Sequence, residues 1–203
     1  MQLIITRHGH TPWNDFLLMQ GRSDNNLSKK GEEQARKLAK RLSKEKIDII
    51  YSSPLKRALN TAKIIKKLLP GAELIIENDL VEMNFGVVDG MSREEILAHK
   101  EHGPMWRKRE RERYTFVIPK GESWEQVHVR TKKFLKRIIQ ANRDALVISH
   151  GVVSKALLLE LTKDNFTKIA DMNYKNTGVS KFIIDGGKVK IVELNCDKHL
   201  REE

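Results

Sequence analysis

Cys196 is the only cysteine in the chain, so no disulfide can close within it. A fold that does without disulfides suits a reducing compartment, and a cytoplasmic location is expected. No apolar stretch approaches the roughly 18 residues that suggest a membrane span, so a soluble protein with no membrane partner is expected. The opening MQLIITRHG has an apolar run too short for a secretory signal, and no small-residue cleavage site follows it. Zinc-ligand spacing, the aromatic signature of RNA-binding sheets and a basic tail are all missing, which argues against nucleic acid as the partner. Internal repeats, low-complexity segments and linkers are missing too. A single domain over residues 1–203 is therefore expected.

Charge is abundant. Lys and Arg number 38 against 27 Asp and Glu, for a net charge of +11. A basic surface attracts nucleic acid or favours small anionic substrates, and charge alone does not choose between them. Many lysines stand beside glutamates, as in SKKGEEQARKLAKRLSKEK, which reads as a solvated helix face.

Residues 2–6 read as a strand buried on both faces, because their apolar run does not alternate. After the loop GHTPWNDFLLMQGRSDNN, Ser28 caps a helix whose Ala35, Leu38, Ala39 and Leu42 share one face. KIDIIYSS is a second strand. Ser53 as cap and Pro54 at the first position then predict another helix, stopped by Pro70-Gly71. AELIIEN is a third strand, and Ser92 with Glu95 makes a capping box for a short helix. MWRKRERER is a charge run and YTFVIPKG looks extended. Ser123 and Gln126 open a long helix, DALVISHG is a fourth strand leading into the helix VVSKALLLELT, and VSKFIIDGGKVKIVEL is a hairpin about DGG. Strands alternating with helices imply a layered α/β domain with parallel pairing, to which the hairpin adds antiparallel strands.

In such sheets ligands bind beyond the carboxyl ends of the strands. Strand one ends at Arg7-His8, strand two at Ser53 with Arg57 one turn on, and strand four at His150. Two arginines and two histidines brought to one crevice would hold a dianion such as phosphate. Each residue taken singly also has a structural reading, a histidine as a satisfied strand end and an arginine as a surface contact.

TRHGHTPWN, QGRSDNNLSKKGEEQA, YSSPLKRALNTA, LVEMNFGVVDGM, PKGESWEQVHVR and VISHG occur in an order that resembles the histidine phosphatase superfamily, the phosphoglycerate mutase-like enzymes, and its small phosphatases in particular. The resemblance implies a three-layer α/β sandwich with a central, mostly parallel sheet flanked by helices. It implies a phosphatase that needs no cofactor or metal and hydrolyses small phosphate monoesters through a phosphohistidine. His8 would be the nucleophile and Glu82 the proton donor and later base. Arg7, Arg57 and His150 would surround the phosphoryl oxygens with Asn14 assisting, and Gln20 and Ser23 would line the binding loop. The chain departs from the family at His10, where Glu or Gln is common, and at Asn26, where Pro is frequent. His10 could touch substrate or occupy the loop surface, and the surface is the expectation. Glu122 could line the pocket or start a helix, and Ser123 reads as a cap.

A phosphoglycerate mutase is the nearest alternative, but family mutases carry a longer insertion between the acid and the second histidine. Here that gap is 150 − 82 = 68 residues, which resembles the compact phosphatases, and segment 100–121 is expected to cover the site. Two remoter alternatives are a hydrolase using His8, His10 and His150 as metal ligands and a non-catalytic binder of phosphorylated ligands. Neither the natural ester nor the oligomeric state is legible.

Overall fold

Leu3, Ile4, Ile5 and Thr6 are fully buried, as an unalternating apolar run requires of a strand covered on both faces. In the computed structural model, which describes residues 1–201, this strand is β1 (Gln2–Arg7). There follow α1 (Pro12–Asp15), α2 (Lys29–Leu42), β2 (Ile49–Ser52), α3 (Lys56–Lys66), β3 (Glu73–Ile76), α4 (Arg93–Ala98) and α5 (His102–Arg111). The chain continues with α6 (Trp124–Ala141), β4 (Ala145–Ser149), α7 (Gly151–Thr162), α8 (Phe166–Asp171), β5 (Val179–Asp185) and β6 (Lys188–Cys196).

The sheet order is β3-β2-β4-β1-β5-β6. β4 pairs in parallel with β1 and β2, and β2 with β3, whereas β5 and β6 run antiparallel. Successive side chains of the central strands enter opposite layers. Leu3, Ile5 and Val147 join the core under α6 and α7, whereas Ile4, Ile50, Leu146 and Ile148 join the one under α2 and α3. The result is the expected three-layer α/β sandwich. Because β1 feeds α2 on one face and β4 feeds α7 on the other, the chain parts between these neighbouring strands and leaves a crevice at their carboxyl ends.

Local signals account for most boundaries. Ser28 accepts from Gly31 N at 3.1 Å, and reciprocal capping boxes at Ser92–Glu95 and Ser123–Gln126 start α4 and α6. Asn142, at φ 49°, ends α6 in a left-handed cap, and Gly186-Gly187, both at positive φ, turn β5 into β6.

Two expectations need correction. The N-cap of α3 is Leu55, two residues beyond Ser53, whose hydroxyl accepts from Leu55 N at 3.3 Å and lies 2.7 Å from His150 Nε2. YTFVIPKG, residues 114–121, is not one extended segment: turns occupy 113–115 and 119–120, and none of it joins the sheet. Its polar backbone is satisfied by irregular contacts such as Thr115 N to Glu112 O and Gly121 N to Ile118 O, with Ile118 fully buried. The short helices α1 and α8 lie where no periodicity announced them, each too brief for a repeating apolar face.

Ser123 is 1% exposed and its box holds the first turn of α6. Ser123→Ala should cost about 1 kcal/mol, seen as a melting temperature lower by about 2–4 °C, with the active-site geometry intact. Calorimetry checks this.

Candidate active site

β1 delivers Arg7 to the rim of the crevice and His8 to its floor. The backbone there is held from every side: His8 N donates to Ser149 O (2.9 Å), Gly9 N to Thr61 Oγ1 (3.1 Å), Thr177 N to Arg7 O (3.0 Å) and Asn176 Nδ2 to His8 O (3.0 Å). Gly9 is required by close approach. A Cβ there would meet Gly31 O at 2.4 Å, and one at Gly31 would meet His10 O at 2.0 Å. The two glycines let the loop after β1 and the start of α2 interlock.

The imidazole of His8 is 2% exposed, and its Nδ1 lies 2.6 Å from Gly9 O. A carbonyl can only accept, so Nδ1 carries the proton and the neutral ring keeps its lone pair on Nε2. Burial, followed by the charges of Arg7 and Arg57, holds His8 well below the usual histidine pKa, outweighing the Gly9 carbonyl that acts the other way. His150 lies opposite, with ring centroids 5.3 Å apart. It too is pushed well below its ordinary value, by burial first and by Arg57, His8 and Arg7 next.

Arg57 is fully buried, donating to Ser23 O at 2.5 Å and Gly21 O at 2.7 Å, and burial lowers it to about 10. Arg7 Nη1 donates to Tyr174 O at 2.8 Å. Among the described residues Arg7 Nε, Arg57 Nε and His150 Nδ1 are buried without a hydrogen-bond partner. Buried donors left unsatisfied are costly, and the two guanidinium Nε–H groups beside His8 and His150 are chemically suited to an anion.

Glu82, 7% exposed, accepts from Met83 N (2.8 Å) and, at the N-terminus of α7, from Val152 N (3.1 Å). A Cβ at Gly151 would lie 3.7 Å from Glu82 Oε2 and 4.0 Å from Arg7 Cζ, so carboxylate and guanidinium face the same helix turn.

His8, Arg7, Arg57, His150 and Glu82 therefore converge, and the other predicted residues stand further out. Gln20 is buried with Oε1 unpartnered among the described residues, and Ser23 contributes its carbonyl to Arg57. Asn14 Oδ1 accepts from Thr11 N (2.9 Å) and Thr11 Oγ1 (3.2 Å), holding the first turn of α1. His10 is not on the surface. It is 7% exposed, with Nδ1 at 2.8 Å from Ser28 Oγ and Nε2 at 3.0 Å from Asp15, so it joins α1 to the cap of α2. Both its ring nitrogens are taken, and among the described residues no group of three or more His, Cys, Asp or Glu side chains is placed to hold a metal ion. Glu122 ties loops together through Arg22 (3.1 Å), Arg130 (3.4 Å) and Asn84 N (2.9 Å). Sequence reasoning missed Ser53 as the partner of His150, and it missed Tyr174, Asn176 and Thr177, which brace Arg7 and His8 from more than 160 positions away. The tight pair of serines after β2 was the one signal for Ser53. The distant brace has none. A groove of about 1000 Å³ between α2 and α3, lined by Asn26, Arg36, Lys63 and Leu68 among others, contains none of these groups.

The unfolded chain binds protons at His8 and His150 before the folded one does. These groups therefore subtract nothing above about pH 6.5 and destabilise the fold progressively as pH falls below it. His199, buried and lowered to about 4, acts in the same sense. The melting temperature should drop from pH 6.5 toward pH 5, and nitrogen-detected NMR at pH 6 should find His8 neutral with Nε2 bare. A melting temperature that rises over that range contradicts the assignment.

The family model for the histidine phosphatase superfamily, branch 1, matches residues 3–197. Phosphoserine phosphatase 1 of Hydrogenobacter thermophilus is 32% identical over 204 residues, covering 100% of this chain and 95% of the relative. Phosphoglycerate mutase-like protein 4 of Arabidopsis thaliana is 34% identical, covering 99% and 87%. The crystal structure of a phosphoserine phosphatase from Entamoeba histolytica, in complex with 3-phosphoglyceric acid, superimposes with a TM-score of 0.82 at 29% identity over 98% of both chains. On its whole length and its fold, the chain belongs to the histidine phosphatase superfamily, branch 1, and its relatives fit a phosphomonoesterase better than a mutase.

Proposed function

We propose that this phosphomonoesterase works through a phosphohistidine on His8 Nε2 and draws its charge neutralisation from side chains rather than a metal. The observation that supports the reading is the bare Nε2 of His8, set by the Nδ1 bond to Gly9 O, in a site where Arg7 Nε, Arg57 Nε and His150 Nδ1 are buried without partners. The lone pair attacks phosphorus and the ester P–O bond breaks. Glu82 gives its proton to the leaving alkoxide, which is otherwise a poor leaving group. The resulting carboxylate then takes a proton from water as the water oxygen attacks phosphorus, the P–N bond breaks, and inorganic phosphate leaves with His8 restored.

Arg7 and Arg57 stabilise the equatorial oxygens throughout. In this reading the Ser53 hydroxyl donates to His150 Nε2 and the ring proton sits on Nδ1, the nitrogen without a partner, so that His150 serves as a neutral donor to the phosphoryl group. Ser23 acts by its carbonyl on Arg57, Gln20 by its buried amide, and Asn14 by holding the loop that follows His8. In this reading the chain is a single domain and segment 100–121, with α5, covers the crevice.

The 68-residue spacing from Glu82 to His150 and the end-to-end match with a phosphoserine phosphatase favour hydrolysis over mutase chemistry. The partner in this reading is a small phosphorylated molecule rather than nucleic acid or a membrane. Among the described residues no helix is long and apolar enough to cross one. The single cysteine favours a cytoplasmic enzyme.

Aryl phosphate hydrolysis should survive EDTA, and inhibition by vanadate should persist in its presence. Loss of turnover in EDTA with recovery on zinc would count against the reading. With 3-phosphoglycerate and a bisphosphoglycerate primer, inorganic phosphate should appear faster than 2-phosphoglycerate. The reverse order would make the chain a mutase.

His8→Ala should abolish both turnover and the acid-labile phosphoprotein trapped by rapid quench. Glu82→Gln should slow phosphoryl transfer from an alkyl ester by about 10²- to 10⁴-fold. With an activated aryl ester the same variant should form the phosphoprotein and accumulate it. Label in His8→Ala, or equal slowing of alkyl and aryl esters at the first step, would falsify these roles.

A further inference from the structure

We propose that Lys155 reads the alcohol half of the ester and selects substrates whose alcohol carries a carboxylate, an inference that rests on the phosphatase reading above. Lys155 stands one turn along α7 from Gly151, on the same helix face. That face looks onto the site, since a Cβ at Gly151 would lie 3.7 Å from Glu82 Oε2 and 4.0 Å from Arg7 Cζ. Helical side chains lean toward the N-terminus of their helix, so the Lys155 stem runs toward the same end. Glu82 protonates the leaving oxygen, which puts the alcohol on the Glu82 side of the phosphoryl group and therefore beside this turn of α7.

The ammonium of Lys155 donates to Ala170 O at 2.8 Å, a neutral acceptor that Arg113 Nη2 also uses at 2.8 Å. Arg113 is matched by Asp171, but among the described residues no carboxylate forms an ion pair with Lys155. A lysine has three N–H groups to place, and a half-buried cation is costly unless an anion joins it. Burial, then Arg113, lowers its pKa to about 8, with Arg7 acting the same way and Glu82 and Asp171 against it. The phosphoryl dianion answers Arg7 and Arg57. One ammonium then remains, and one ammonium matches a monoanionic carboxylate.

The test compares 3-phosphoglycerate with glycerol 3-phosphate, which differ by a carboxylate against a hydroxymethyl group, and uses p-nitrophenyl phosphate as a reference. The wild-type chain should prefer the carboxylated ester in kcat/KM by at least about 10-fold, the usual scale for a hydrogen bond to a charged group. Lys155→Met should erase that preference by slowing only 3-phosphoglycerate, mainly through KM, with p-nitrophenyl phosphate within about 3-fold of wild type; Lys155→Arg should keep part of it. Equal slowing of all three esters in Lys155→Met, or no preference in the wild-type chain, overturns the inference. If Lys155→Met fails to fold, Lys155→Arg carries the residue test, and a wild-type chain without the preference still overturns the inference. Absence of turnover with every ester, the aryl phosphate included, removes the phosphatase reading and this inference with it.

Discussion

The hydrogen bond from His8 Nδ1 to the Gly9 carbonyl is the constraint around which the site is organised. It assigns the tautomer, and the tautomer decides which nitrogen has a lone pair for phosphorus. Burial and two adjacent guanidinium groups disfavour the imidazolium of His8. In the proposed mechanism the same arginines receive the incoming phosphoryl group. One arrangement of charge would then serve both the nucleophile and the transition state.

Holding that arrangement requires cations buried before substrate arrives. Arg57 is fully buried and relies on two backbone carbonyls in the 21–23 loop, and Arg7 relies on one from Tyr174. Neutral carbonyls orient a guanidinium without cancelling its charge, whereas a carboxylate in the same place would compete with phosphate. The carboxyl group that does stand close, Glu82, has two backbone N–H groups as partners. The proposed mechanism therefore divides the crevice into a phosphoryl side of arginines and histidines and an alcohol side of Glu82 and α7.

The scaffold explains why this division is rigid. β4 lies between β1 and β2, so the residues following these three strands are fixed by one hydrogen-bonded register, with Arg7 opposite Ser149 and Ser52 opposite Ile148. Interlocked Gly9 and Gly31 bring α2 against the nucleophile loop, and His10 completes that joint through Asp15 and Ser28. A residue that departs from the family pattern is thus absorbed into the structure beside the nucleophile.

By itself the sequence determined the layers, the strand ends that carry Arg7, His8 and His150, and the roles implied for Glu82 and Arg57. Buried strands, capped helices and contiguous motifs are local patterns, and local patterns are written in consecutive residues. It misplaced the start of α3 by two residues, and it gave no sign that the Ser53 hydroxyl meets His150, which is 97 residues away. It put His10 on the surface because nothing nearby in the chain announces Ser28 as its partner. Only the tertiary structure decided that Tyr174, Asn176 and Thr177 brace Arg7 and His8, that His8 carries its proton on Nδ1, and that Lys155 meets Ala170 rather than a carboxylate. Each of those depends on which distant groups share a desolvated space, and burial changes the energy of a charge or a proton in ways that no local spacing encodes.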